Sequence, residues 1–253
     1  VCVLMLAGKH VPPALKIFLL AIAIFDDLGA ILVIAFFYSG AVSLMGWLGV
    51  LAGRLARYTL NRLQVRALLP YLVVGVVLWF LLHHAGIHTT IAGVAVGMAI
   101  PLRDHRESSN SPLNACVHFL HPWVSFGILP LFAFVSAGIS LAGINLAALL
   151  APLPLGVALG LFIGKQIGIF GSTWLLVKLR IAPLPEGTSW LQIYGVALLA
   201  GIGFTMSLFI GLLAFDDAAM HAAVKLGVMG GSLLSAIIGG VVIRAGTARK
   251  RML

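Results

Sequence analysis

Charged residues and cysteines are both scarce in this 253-residue chain. Asp, Glu, Lys and Arg make up 9% of the sequence, and the acidic residues number seven. Hydrophobic residues make up 61%, which excludes a soluble domain and is typical of an integral membrane protein. The two cysteines, Cys2 and Cys116, support no disulfide framework. The apolar runs are longer than the alternating strands of a membrane barrel, so they predict helices.

The apolar runs predict about eight membrane-spanning helices in one transmembrane domain over residues 1–253. The predicted ranges are 14–38, 43–61, 68–84, 87–102, 121–142, 152–178, 192–214 and 222–244. Lys and Arg gather in alternate loops and at the end of the chain, where the positive-inside rule places the cytoplasm. We therefore expect a cytoplasmic C-terminus. The net charge of +9 then reflects topology, so membrane lipid is an expected partner and nucleic acid is not.

Two adjacent acids, Asp26 and Asp27, lie in the middle of the first predicted span. Each adds about 2.5–3.5 kcal/mol to membrane insertion, and acids at this depth mark ion paths by default. Neighbouring helical positions point about 100° apart, so both carboxylates can border one polar cavity. At roughly 6 Å and an effective dielectric of about 20 they repel by about 3 kcal/mol, enough to keep one protonated while the other ionises. A cation could then displace a proton; the structural alternative is one salt-bridged Asp with a hydrogen-bonded neighbour.

Two further irregularities are predicted at the same depth. Lys165 lies deep in the sixth span, and the remaining acids lie in predicted loops, which leaves the Asp pair as its partner. The seventh span contains Gly-Ile-Gly-Phe-Thr-Met-Ser, and an unwound segment there would expose carbonyls and helix ends to a cation. The candidate residues of this segment are Gly201, Gly203, Phe204, Thr205 and Ser207.

These residues occur within longer strings that together resemble one family. In chain order the strings are Ala-Ile-Phe-Asp-Asp-Leu-Gly-Ala-Ile, Gly-Ile-His-Thr-Thr-Ile-Ala-Gly, Leu-His-Pro-Trp-Val, Leu-Pro-Leu-Phe-Ala-Phe, Ile-Gly-Lys, Leu-Pro-Glu-Gly-Thr and Gly-Ile-Gly-Phe-Thr-Met-Ser. They resemble the bacterial NhaA family of sodium/proton antiporters over essentially the whole chain. The resemblance implies an all-α integral membrane protein, a polytopic helical bundle with inverted repeats and discontinuous helices. It also implies that this chain is N-terminally truncated and holds the last eight of twelve helices.

The resemblance further implies an activity and residue roles. The activity is secondary active export of sodium or lithium in exchange for protons by alternating access, for pH and sodium homeostasis, with no enzyme chemistry and no cofactor. Asp27 is implied to be the main sodium or lithium ligand and a proton carrier, while Asp26 pairs with Lys165. Residues 201–207 are implied to form the unwound crossing of one repeat. The protein would lie in the bacterial inner membrane, and a homodimer would form through the missing N-terminal part.

Two histidines are candidates for pH sensing. His118 and His121 stand near the predicted inner start of the fifth span, and imidazoles titrate near neutral pH. Members of the family carry an acid before the first histidine, whereas this chain has Val117. The pH response is therefore either shifted or carried by other groups.

Two rival classes of function remain open from the residues, a passive cation channel and an intramembrane protease of the aspartyl or serine type. A passive cation channel would use intramembrane acids, but it needs no buried lysine beside a proton-labile pair. An intramembrane aspartyl protease needs two acids that flank one peptide bond, normally from separate helices, whereas adjacent acids on one helix point apart. A serine protease would be sought at Gly230-Gly231-Ser232, where no histidine lies at an evident matching depth.

Overall fold

A computed structural model describes residues 12–37, 51, 68–85, 88–101, 111–138 and 146–251. Within these ranges every regular element is helical and no strand occurs. The α-helices in chain order are α1 Pro13–Phe37, α2 Leu68–His84, α3 Thr90–Gly97, α4 Pro112–Trp123, α5 Leu129–Ala137, α6 Leu146–Leu149, α7 Pro152–Leu159, α8 Ser172–Lys178, α9 Trp190–Leu199, α10 Phe204–Ala214 and α11 Ala218–Arg251.

Within the described ranges, three π-helical segments extend these helices into longer rods. Val124–Ile128 joins α4 to α5, while Gly160–Gly164 and Gln166–Gly171 join α7 to α8 on either side of Lys165. Pro122 stands two residues before the first of these segments, and proline removes one helical hydrogen bond and crowds the preceding turn. No proline lies within 155–182, so the segments around Lys165 have another cause.

The helices are long and apolar enough to confirm the all-α membrane fold. Among the described residues, four continuous helical stretches meet the length and hydropathy of a membrane span: Pro13–Ile34, Pro112–Ser136, Pro152–Lys178 and Ala218–Thr247. The pair α9 and α10 adds a fifth if the two are counted as one broken span. Large apolar side chains such as Phe25 and Phe126 are exposed, as expected for surfaces that face lipid.

The start predicted for the fifth span, 121–142, was wrong. The helix begins at Pro112, where Ser111 acts as N-cap and its hydroxyl accepts a hydrogen bond from the Asn114 N–H (3.2 Å). A serine cap followed by proline at the first helical position is a strong start signal. The prediction passed over it because polar residues lower the hydropathy of the first turns.

Other bounds differ less. The first span, predicted at 14–38, is Pro13–Phe37, whereas the fourth, predicted at 87–102, contains a helix of eight residues, Thr90–Gly97. The last helix is longer than predicted and runs over Ala218–Arg251. The predicted span 43–61 lies outside the described residues except for position 51. The single transporter domain with eight helices stays a prediction.

The chain divides into two compact units, Val1–Gly29 with Ala137–Leu253, and Ala30–Ser136. In the first unit α11 is the central helix and packs against α7, α9 and α10. Gly231 permits the approach to α7, since a Cβ built there would lie 3.0 Å from the Ala158 Cα. Small residues allow such close contact between membrane helices.

The second unit contains smaller apolar clusters around α2. Leu78 and Leu82 of α2 are buried with Ala92 of α3, and Tyr71 is buried with Ile100 and Cys116. Beside them lies an apolar cavity of about 400 Å³, bordered by α2, α3 and α4.

Candidate functional site

A cavity of about 230 Å³ in the first compact unit contains the predicted acids. Asp26 and Asp27 of α1 border it from one side, and Gly203 and Thr205 border it from the gap between α9 and α10 and the start of α10. The other lining residues are apolar, Leu19, Ile22, Ala23, Leu199, Ala200, Ile202 and Met206. The structure thus brings the two acids and the irregular segment of the seventh predicted span to one cavity.

The spacing of apolar residues on α1 orients the acids. Leu15, Leu19, Ile22 and Asp26 follow one another at four, three and four residues, so they lie along one face of the helix. The two leucines are buried in a cluster with residues of α9 and α11, and Ile22 packs against that cluster. Asp26 continues the packed face at the point where the cavity opens, and Asp27 is the next residue around the helix.

Lys165 pairs with the first of the acids. Its ammonium donates a hydrogen bond to Asp26 Oδ1 and forms an ion pair with that carboxylate. The Lys165 side chain is 23% exposed and that of Asp26 48%. Asp27, the next residue of α1, borders the same cavity.

The seventh predicted span is broken in its middle. Helix α9 ends at Leu199, α10 begins at Phe204, and the two are bent by 44°. Gly201 N–H donates to Leu198 O (3.0 Å) and Ile202 N–H to Leu199 O (3.2 Å), which closes α9 with tight turns. The break presents the partly negative end of α9 and the partly positive end of α10 to the cavity.

Close packing explains why glycine occupies the break. A Cβ at Gly201 would lie 2.7 Å from Leu161 O and would collide with Ser235 Oγ. A Cβ at Gly203 would lie 2.7 Å from Leu161 Cδ2. Both positions therefore lack room for a side chain. The sequence indicated these glycines as places where the helix weakens, and the structure adds that the neighbouring helices touch them.

The sequence motifs and the geometry of the cavity agree with the result of a comparison with known protein families. The model of the family described as Na+/H+ antiporter 1 matches residues 1–243. The chain belongs to this family. It is therefore a multi-pass membrane protein of a transporter family, in agreement with the helices that meet the requirements of membrane spans.

Several curated relatives are similar over most of this chain. The Na(+)/H(+) antiporter NhaA of Rhodospirillum rubrum is 52% identical over 250 residues, which is 96% of this chain and 63% of the relative. The Na(+)/H(+) antiporter NhaA 2 of Pseudomonas savastanoi pv. phaseolicola is 54% identical over 248 residues, covering 98% and 63%. The NhaA of Pseudomonas putida is 50% identical over 252 residues, covering 99% and 64%. The chain thus spans less than two thirds of the length of these relatives.

The two histidines predicted to sense pH lie in the second compact unit. His118 and His121 are exposed on α4, and the imidazole Nδ1 of His121 lies 3.5 Å from Ser125 Oγ. Their predicted place near a helix start was wrong because α4 begins at Pro112. Their role in pH sensing stays a prediction.

Sequence reasoning missed three polar residues of the first unit. Tyr194 of α9 donates a hydrogen bond to Gln166, the residue after Lys165. Ser235 of α11 is fully buried beside the break, and its hydroxyl has no hydrogen-bond partner among the residues that the structure describes. The position of Gln166 next to Lys165 was the available sequence signal for the Tyr194–Gln166 pair. No sequence signal indicated Ser235, because serines are ordinary residues of apolar helices.

The chemistry of the cavity suits a hard cation better than a transition metal. Within the described ranges, no group of three or more His, Cys, Asp and Glu side chains converges. Carboxylate, hydroxyl and carbonyl oxygens do border the cavity, through Asp26, Asp27, Thr205 and the helix break. Hard cations take oxygen ligands. The arrangement can therefore exchange a cation for a proton on carboxylate oxygens.

Proposed function

We propose that the protein is a secondary active antiporter that exports sodium in exchange for protons. The observation that carries the proposal is the cavity in which an acid pair meets a broken helix, with Lys165 paired to Asp26. Membership of the Na+/H+ antiporter 1 family and the printed names of the relatives support it. As the chain spans less than two thirds of those relatives, the activity is proposed for the complete gene product.

Competition between ions on the carboxylates would couple the two fluxes. Lys165 occupies Asp26, which leaves Asp27 as the carboxylate that a cation would reach from the cavity. Two acids on neighbouring residues repel when both are ionised, so the pair favours a bound proton or a bound cation. A sodium ion that binds Asp27 would displace protons, and protons that arrive from the other side would release sodium. Lithium, with the same charge and preference for oxygen, would use the same ligand.

The broken helix would allow alternating access. The half-helices α9 and α10 meet at the cavity without a continuous hydrogen-bond ladder between them, so movement there breaks few backbone bonds. Rocking of one bundle against another would then open the cavity to each side in turn. The finer expectations of an inner-membrane location, a cytoplasmic C-terminus, a homodimer and no cofactor belong to the same proposal.

Reconstituted transport tests the proposal. We expect a sodium pulse to change the internal pH of proteoliposomes that contain the complete gene product, as followed by a pH-sensitive dye. The response should disappear in Asp27→Asn, because the amide neither binds sodium as a carboxylate does nor releases a proton. Asp216→Asn, which removes an exposed acid between α10 and α11, is the matched control and should behave as wild type.

The sodium-pulse assay and a cleavage assay separate the rival functions. A passive channel would carry sodium without a coupled pH change, and cleavage of a labelled membrane substrate would reveal a protease. Full exchange by Asp27→Asn would show that the acid pair is structural and would overturn the proposal.

A further inference from the structure

The helix around Lys165 keeps an unusual backbone register. Lys165 lies between the π segments Gly160–Gly164 and Gln166–Gly171. In a π register each backbone N–H bonds to the carbonyl five residues back instead of four. Such segments are frequent at functional sites, where they re-aim a side chain.

Side chains of the same helix donate additional hydrogen bonds to its backbone carbonyls. The Gln166 amide donates from Nε2 to Phe162 O (2.8 Å). At the other end, the hydroxyls of Thr173 and Ser172 donate to Ile169 O (2.7 and 3.1 Å). Ile169 O also accepts a backbone bond from the Ser172 N–H, so the side-chain bonds add to the backbone ladder and hold the Gln166 amide against its own helix.

A tyrosine on the neighbouring helix fixes this register to the broken span. The Tyr194 hydroxyl donates to Gln166 Oε1 over 2.6 Å, and both side chains are half-buried. The Tyr194 ring also packs edge to face against Phe170, with centroids 5.4 Å apart. Gln166 is thereby held at both ends of its amide, by its own helix and by α9.

We propose that Tyr194 and Gln166 are positioning residues for Lys165, and that they set the apparent sodium affinity of the site by keeping its ammonium on Asp26 and away from Asp27. Lysine has a long flexible side chain, so its reach depends on where its backbone is held. Because Gln166 follows Lys165 directly, the hydrogen bonds of Gln166 fix the backbone position from which the Lys165 side chain extends. An ammonium that also reached Asp27 would compete with sodium for the carboxylate. The inference rests on the proposed function.

Transport kinetics of Tyr194→Phe in the complete gene product test the inference. The change removes one hydroxyl and keeps the ring that packs on Phe170. We expect the apparent KM for sodium to rise roughly two- to tenfold, the size of one net hydrogen bond, with an unchanged maximal rate. Tyr71→Phe, which alters a buried tyrosine of the other compact unit, should leave both parameters unchanged.

A second variant breaks the bond from the other side. Gln166→Met should also raise the apparent KM. The double variant Tyr194→Phe/Gln166→Met should be no worse than Gln166→Met, because that variant already lacks the bond from Tyr194 as well as its own bond to Phe162 O. An unchanged KM in Tyr194→Phe would overturn the inference. So would a lower maximal rate at constant KM, or additive effects in the double variant.

Chemical modification of Lys165 distinguishes failure of the inference from failure of the proposed function. An amine-reactive acetylating reagent, read out by peptide mass spectrometry, reports how often the ammonium is free of its carboxylate. We expect faster acetylation of Lys165 in Tyr194→Phe than in wild type and Tyr71→Phe. Absence of exchange in the wild type would overturn the proposed function, whereas equal acetylation rates would overturn the positioning role.

Discussion

Two cavities in the described part of the chain differ in chemistry more than in size. The larger, of about 400 Å³, is lined by side chains of α2, α3 and α4, none of which carries a charge. The smaller, of about 230 Å³, contains two carboxylates, a hydroxyl and the ends of two half-helices. A charged group at membrane depth is costly, so it persists where it has a use. Volume alone would therefore favour a different cavity from the one that we propose as the transport site.

The backbone is regular beside the apolar cavity and irregular beside the polar cavity. Helix α2 borders the apolar cavity as one uninterrupted α-helix of 17 residues. Beside the polar cavity, α9 and α10 are separated by a break, and Lys165 stands between π segments. Irregular backbone in a membrane is tolerated where it borders a polar space. The contrast predicts that substitutions at the polar cavity have large effects on transport and that those at the apolar cavity have small ones.

The ion pair should give the largest effect. We expect Lys165→Met to lower the thermal stability of the detergent-solubilised protein and to impair exchange, because it leaves the Asp26 carboxylate without its cation. The double variant Asp26→Asn/Lys165→Met should unfold at a higher temperature than Lys165→Met, since neither partner is then left as a lone charge, and Asp26→Asn alone completes the cycle. The expected coupling energy is about 0.5–3 kcal/mol. Strictly additive losses of stability would show that the pair contributes nothing at this site.

The glycine of the helix break should give an intermediate effect. In Gly201→Ala the new methyl group would press against Leu161 O and Ser235 Oγ, and such overpacking costs about 1–3 kcal/mol. Exchange should fall with stability, since the break itself would shift. Gly156→Ala is the matched control, because a Cβ there meets nothing within 4 Å in the described structure. Wild-type transport by Gly201→Ala would mean that the break needs no close packing.

Some of this site was predictable because its signals are local. The acids Asp26 and Asp27 stand out in an apolar run, and the glycines of residues 201–207 mark a weak helix whatever surrounds them. The partner of Lys165 was predictable because acids are scarce in the chain, and Asp26 and Asp27 were the acids predicted at the depth of Lys165. The first span was predicted almost to the residue, Pro13–Phe37 against 14–38, because apolar runs of this length have few alternatives.

The rest depends on contacts between helices that no single segment encodes. No proline within residues 155–182 indicates the π segments beside Lys165. The bond from Tyr194 joins positions 28 residues apart. The start of α4 at Pro112 was local and still missed, because hydropathy was given more weight than the cap.

The smallest effect is expected at the apolar cavity, where Gly75→Ala repeats the glycine test. A Cβ at Gly75 would lie 3.4 Å from the nearest Val96 methyl group, an ordinary van der Waals contact. Alanine is also favoured over glycine inside a helix by roughly 0.5–1 kcal/mol. The variant should therefore keep wild-type exchange and unfold at the same or a slightly higher temperature. If Gly75→Ala lost exchange while it stayed folded, the apolar cavity would take part in transport, and absence of charge would no longer distinguish an inert cavity from a working one.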